Sequence, residues 1–154
     1  MVTATCVDSP TACLDLHTLS QGQVLVSHAR QITKRDVEVY AELTGDTNPI
    51  HLDPAFAAGT PFGRPIAHGG LVLSIATGLA YQLGLAKSAV IFTRIEHELK
   101  RPVYYDDSVS LKLEVETIAP NRRPAGKKIC LRVEILNQSE RLVQECRWHL
   151  IVSD

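Results

Sequence analysis

The run Thr44-Gly-Asp-Thr-Asn-Pro-Ile-His-Leu-Asp-Pro places Asp46, Asn48 and His51 within six residues. A carboxylate and an imidazole this close can share one proton, so that one group takes a proton from water while the other supplies one to a carbon. Pro65-Ile-Ala-His-Gly-Gly follows at the head of an apolar segment. The first-turn N–H groups of a helix lack internal partners and favour negative charge, so Gly69, with no side chain in the way, is the expected donor to a developing oxyanion. Acid, base and anion site together are the equipment of a hydratase. Read alone, the same residues are also ordinary Asx-turns, and Asp53-Pro54 is an ordinary helix start.

These residues need elements to hold them. Thr33, with Asp36 three residues on and Val37, Tyr40 and Ala41 on one face, predicts a helix from Lys34 to about Leu43. Six prolines and glycines between Pro49 and Pro65 predict a loop with at most one helical turn, around Ala55 to Ala58. Gly69 to Leu85 is apolar on nearly every side but shorter than the roughly 20 residues a membrane span needs, which predicts a buried helix. Alternation marks the strands. Gln21 to Gln31 has Val24, Val26 and His28 on one face, and a long strand has Ala89, Ile91, Thr93, Ile95, His97 and Leu99 on one side. Three more follow, at Val109 to Val115, Ile129 to Ile135 and Leu142 to Val152, with turns at Asn121 to Lys128 and Asn137 to Glu140. The expected architecture is α+β, a curved antiparallel sheet of about five strands in meander order around one buried helix.

Composition narrows the function classes. The 154 residues carry net charge -1, which calls for neither nucleic acid nor an acidic membrane face as partner. No linker divides the chain, so residues 20–154 are expected to form one domain. Residues 1–19 carry Asp8 and Asp15 before any Lys or Arg, unlike a targeting peptide, and are expected to be a loosely ordered extension. Four cysteines without CxxC spacing read as free thiols in a reducing cytoplasm. A metal site from His51, Asp53 and His68 is conceivable by ligand type, but no H-E-x-x-H or Cys/His cluster supports it.

Gly45-Asp46-Thr47-Asn48-Pro49-Ile50-His51-Leu52-Asp53, Phe56-Ala57, Phe62-Gly63, Ile66-Ala67-His68-Gly69 and the later Arg101-Pro-Val-Tyr-Tyr-Asp-Asp resemble the MaoC-like, or hydratase 2, branch of the hotdog-fold proteins, which includes the (R)-specific enoyl-CoA hydratases. The resemblance spans roughly residues 20 to 152. It implies a hotdog fold, a homodimer, and reversible hydration of trans-2-enoyl-CoA to the (R)-3-hydroxyacyl thioester, with the CoA thioester as substrate and no cofactor. Asp46 and His51 would be the catalytic pair, Asn48 a residue that positions them and Gly69 the oxyanion donor. Phe62, His68, Gly70 and Ser74 would be the substrate-contacting residues, with His68 also anchoring the loop. Two departures stand out. Asp106 occupies a position where the family often has glycine, and Gly70 one where a larger apolar residue is common, which would widen the acyl pocket. Lys100-Arg101 and the group Arg122, Arg123, Lys127 and Lys128 are candidates for CoA phosphate contacts, or simply solvated faces. Rival readings are a dehydratase of carrier-bound, branched or dicarboxylic acyl thioesters, a hotdog thioesterase, and a non-catalytic acyl-binding subunit.

Overall fold

A computed structural model describes residues 5–6, 16–85 and 90–153. Helix α1 (Lys34–Thr44) starts as its sequence dictates: Asp36 N–H donates to Thr33 Oγ1 and Thr33 N–H to Asp36 Oδ2, a reciprocal capping box. It ends on Gly45, whose φ of 76° lets its N–H reach back to the Ala41 carbonyl. Val37 and Ala41 are its buried face. Two short helices follow, α2 (Pro49–Leu52) and α3 (Pro54–Ala58). Only α3 was expected. Each has proline at its first position and an Asx cap before it, so the chain of prolines organises the segment instead of unravelling it.

Helix α4 (Gly69–Ala80) is the central helix, burying Leu71, Val72, Ile75, Ala76, Leu79 and Ala80. Its opposite side is open, with Ser74 and Gly78 exposed, so burial is one-faced where the sequence suggested burial all round. A π-helical turn, Tyr81–Leu85, ends it at Gly84, whose φ is 105°. Among the described residues, no helix is long and apolar enough to cross a membrane.

Around α4 lies a sheet of β1 (Thr5–Cys6), β2 (Val24–Val26), β3 (Arg30–Gln31), β4 (Val90–Leu99), β5 (Ser108–Arg122), β6 (Ala125–Asn137) and β7 (Leu142–Ser153). The order is β1-β2-β5-β6-β7-β4, with β3 also on β5. This departs from the expected meander in one respect: β4 does not pair with β5 but crosses to the far edge, beside β7. The connection, residues 100–107, therefore passes across the head of α4, where Ala67 N–H bonds the Val103 carbonyl.

Inward rows of β5, β6 and β7, including Leu111, Leu113, Leu131, Val133, Trp148 and Leu150, close the core over α4. Residues 16–19, expected to lie outside the domain, contribute to it, with Leu16 fully buried and Leu19 nearly so. In the first strand region the buried residues are Leu25 and Ser27, not the Val24, Val26 and His28 face. A register shift between Phe92 and Arg94 changes the alternation of β4. Phe92 and Ile95 both face the inward side, opposite Leu150 and Trp148, while Ile91 pairs outward with Ile151. Ala89 lies outside the described residues.

Candidate active site

Local bonds shape the loop that carries Asp46 and His51. Asp46 Oδ1 accepts the Asn48 N–H at 3.4 Å, Asn48 Oδ1 accepts the Ile50 N–H at 3.1 Å, and Asp53 Oδ1 accepts those of Ala55 and Phe56. The Asx-turn reading holds and leaves room for the functional one, because these caps aim His51 from the last turn of α2. Asn48 acts on His51 through that cap. Asp53 is committed to α3 and takes no part in a metal set.

His51 Nδ1 lies 2.8 Å from the Ile66 carbonyl oxygen. A carbonyl only accepts, so Nδ1 carries the proton and Nε2 keeps its lone pair free. Behind it lies His68, 2% exposed, with ring centroids 3.8 Å apart. His68 Nε2 donates to the Asp46 main-chain oxygen at 2.9 Å and sits 3.9 Å from Asp46 Oδ2. Burial pushes the His51 imidazole below its ordinary value and the neighbouring His68 adds to that, while the Ile66 bond and the Asp46 charge pull the other way. The net direction favours a neutral imidazole with basic Nε2. Tyr105 completes the support, its hydroxyl donating a short hydrogen bond to the His51 carbonyl. Tyr105 was missed because a tyrosine at a strand exit carries no signal of its own.

One ligand atom each from Asp46, His51 and His68 lies within 4.8 Å of the others. His51 Nδ1 and His68 Nε2 already bond carbonyl oxygens, so a metal here would have to be held by Asp46, His51 Nε2 and His68 Nδ1, the last a buried nitrogen that makes no hydrogen bond.

His51 lines a cavity of about 420 Å³ with Phe62, Gly69, Val72, Leu99 and Val103 among its walls, a size suited to a small ligand. Gly69 opens α4, and no side chain caps that end. A Cβ there would lie 2.9 Å from Leu99 Cδ2 and 3.0 Å from Cδ1, so glycine is what leaves room beside the N–H.

Three of the four expected substrate contacts do not line this cavity. A Cβ on Gly70 would run into the Tyr40 hydroxyl, so that space belongs to α1 and the glycine does not widen the acyl pocket. Ser74 turns its hydroxyl back to the Gly70 carbonyl at 2.8 Å, on the exposed side of α4. His68 is also absent from the cavity wall; it sits behind His51 and holds the Asp46 loop. Asp106 adopts φ 67°, which explains a preference for glycine at that turn and why Asp, tolerant of the left-handed region, can replace it. Lys100 and Arg101 line the cavity, Lys100 paired with Glu98 and Glu145. The Arg122 to Lys128 group sits at the β5–β6 hairpin tip, at the opposite end of the sheet from Leu99 and Gln144.

A curved sheet wrapped on one helix, with a carboxylate and an imidazole at the helix head, defines a hotdog-fold protein with an acid/base site. Residues 17–135 match the family model described as MaoC like domain. The chain is 38% identical to the 3-hydroxybutyryl-CoA dehydratase of Methylorubrum extorquens over 127 residues, covering 75% of this chain and 74% of that protein. It is 35% identical to the (R)-specific enoyl-CoA hydratase of Aeromonas caviae over 108 residues, 68% of this chain and 80% of that one. The solved (R)-hydratase from A. caviae, involved in PHA biosynthesis, superposes with a TM-score of 0.76 at 31% identity, covering 87% of this chain and 97% of that chain. The chain belongs to the MaoC-like family.

Proposed function

We propose that this protein is a hydro-lyase that adds water reversibly to trans-2-enoyl-CoA and yields the (R)-3-hydroxyacyl thioester. The observation that carries the reading is the His51 imidazole, with Nδ1 fixed on the Ile66 carbonyl, a ring nitrogen within 4.8 Å of the Asp46 carboxylate, and the ring on the wall of a cavity headed by Gly69. Relatives named as hydratases and dehydratases support the reaction class.

In the hydration direction, water held by Asp46 and His51 gives a proton to the pair as its hydroxyl bonds to C3. The alkene electrons move toward the thioester, whose oxygen takes up negative charge against the Gly69 N–H. The pair returns a proton to C2 as the enolate collapses, so its own protonation is unchanged over the cycle. Delivery of both groups from one side gives syn addition.

A homodimer is part of the proposal. β4 is an edge strand, and Phe92, Ile95 and Leu99 along one side of it are 42–64% exposed, a row that a second copy would cover.

The test follows loss of enoyl-thioester absorbance over a chain-length series of trans-2-enoyl-CoA esters, with chiral analysis of the product. Rapid loss with (R)-product is expected. Asp46→Asn and His51→Gln should each lower kcat/KM about 10²- to 10⁴-fold with the fold intact. Near-normal turnover by either variant would remove that residue from the chemistry. Turnover of carrier-protein esters alone would move the substrate assignment and leave the pair in place.

A further inference from the structure

Gln144 stands in the inward row of β7, followed there by Cys146, Trp148, Leu150 and Val152, all buried and weakly polar or apolar. It is 2% exposed and lines the cavity beside Gly69 and Leu99. An amide in such a row is unfavourable unless its hydrogen bonds are made. They are made, and they run in one direction. His97 Nε2 and Gln144 Oε1 are 2.9 Å apart, and Gln144 Nε2 donates to the Gly69 carbonyl at 3.1 Å. The two sides of the relay come from neighbouring strands, His97 on β4 and Gln144 on β7, and it ends on the first residue of α4.

Chemistry decides the orientation. The Gly69 carbonyl can only accept, so the amide must turn its NH₂ there; its oxygen then faces His97, which must donate. The Gly69 carbonyl thereby selects one of the two ways the amide could lie, and His97, donating from Nε2, holds the amide oxygen in that arrangement. With this bond the Gly69 carbonyl is tethered to the sheet from inside the cavity, in addition to whatever the helix itself provides. A donor held before charge develops costs no reorganisation during reaction.

We propose that Gln144, held in place by His97, is a positioning residue for the helix head. It fixes the first turn of α4 so that the Gly69 N–H keeps its aim at the thioester oxygen. The role rests on the hydratase reading of the site and adds two residues, from β7 and β4, to those that serve it. Gln144 acts through Gly69 and moves no proton.

The experiment compares the parent with Gln144→Leu, Gln144→Met and His97→Phe. It reads kcat for trans-2-butenoyl-CoA, Kd for unreactive butyryl-CoA, and amide exchange at residues 72–74, the first hydrogen-bonded amides of α4, by NMR. Gln144→Leu is expected to lower kcat about tenfold, part of the 10²- to 10³-fold that loss of a whole oxyanion donor costs. Kd for butyryl-CoA should stay within about twofold, since the interaction is made in the transition state. His97→Phe, which removes the donor to the amide oxygen and loosens the tether, should lower kcat about threefold. Exchange at residues 72–74 should quicken in all three variants while the sheet stays protected. Gln144→Met, unbranched and similar in length, gives the same reading if the leucine variant does not fold. The proposal is overturned if Gln144→Leu and Gln144→Met keep kcat within about twofold of the parent, or if Kd weakens as much as kcat falls. It is also overturned by unchanged exchange at the helix head. A parent that hydrates no enoyl thioester brings down the hydratase reading and this role with it, whereas an active parent with unaffected variants brings down this role alone.

Discussion

Gly69→Ala separates the activity of this site from the stability of its helix. The added methyl would lie 2.9 and 3.0 Å from the two Leu99 methyls, too close to remain, but these are the free end of a flexible side chain that is 64% exposed. Moving Leu99 off its preferred geometry costs about 0.5–1.5 kcal/mol, and replacing glycine by alanine in a helix returns up to about 1 kcal/mol. The two nearly cancel, so Tm should shift by no more than about 4 °C in a domain of this size. Activity has no such compensation. The methyl and the displaced Leu99 occupy the space in front of the Gly69 N–H, and losing that donor costs about 10²- to 10³-fold in kcat, or about 2.7–4 kcal/mol in the barrier. The assay pairs a thermal melt with enoyl-thioester hydration kinetics on the same preparation. If the variant retains more than about a third of the parent rate, Gly69 does not supply the donor. If instead it loses more than about 3 kcal/mol of stability, Leu99 does not yield as argued.

Two further outcomes follow from the site and the sheet edge. Because the His51 imidazole titrates lower in the folded protein than its ordinary 6.5, the unfolded chain binds more protons in the window just below that value; stability therefore falls as pH drops through it. Melts of the parent and of His51→Gln across that window should differ in slope, the parent losing more, and equal slopes would contradict the assigned direction. Ile95→Lys places a charge in the middle of the exposed row on β4 and should convert the proposed dimer to a monomer by light scattering; a dimer that persists would place the interface elsewhere.

What could be read without the structure was whatever depends on near neighbours in sequence. The capping box of Thr33 and Asp36 lies within four residues and delivered α1 almost to the residue. The spacing of Asp46, His51 and Gly69 pointed to the same grouping that the fold builds. Long-range pairing was invisible. The alternation of β4 announces a strand but not that it crosses to β7, and one extra residue near Thr93 reverses which side chains face inward. Ser74 and Gly70 misled because helical periodicity does not say which face is already filled; Tyr40, thirty positions away, settles it. Gln144 carried no signal because a lone amide in an alternating strand acquires meaning only when β4 and α4 are placed beside it.

The bonds that shape the Asp46–His51 loop lie almost entirely between residues 44 and 68, in three successive Asx caps and two imidazole-to-carbonyl contacts. Much of the cavity wall comes from elsewhere, from α4, the end of β4, the connection after it, and β7. The acid/base pair and much of the cavity wall are thus encoded in largely separate stretches of chain. Substitutions at Val103 can reshape the cavity without disturbing the caps, so across a lineage the compartment can change shape while the Asp46–His51 loop is inherited intact.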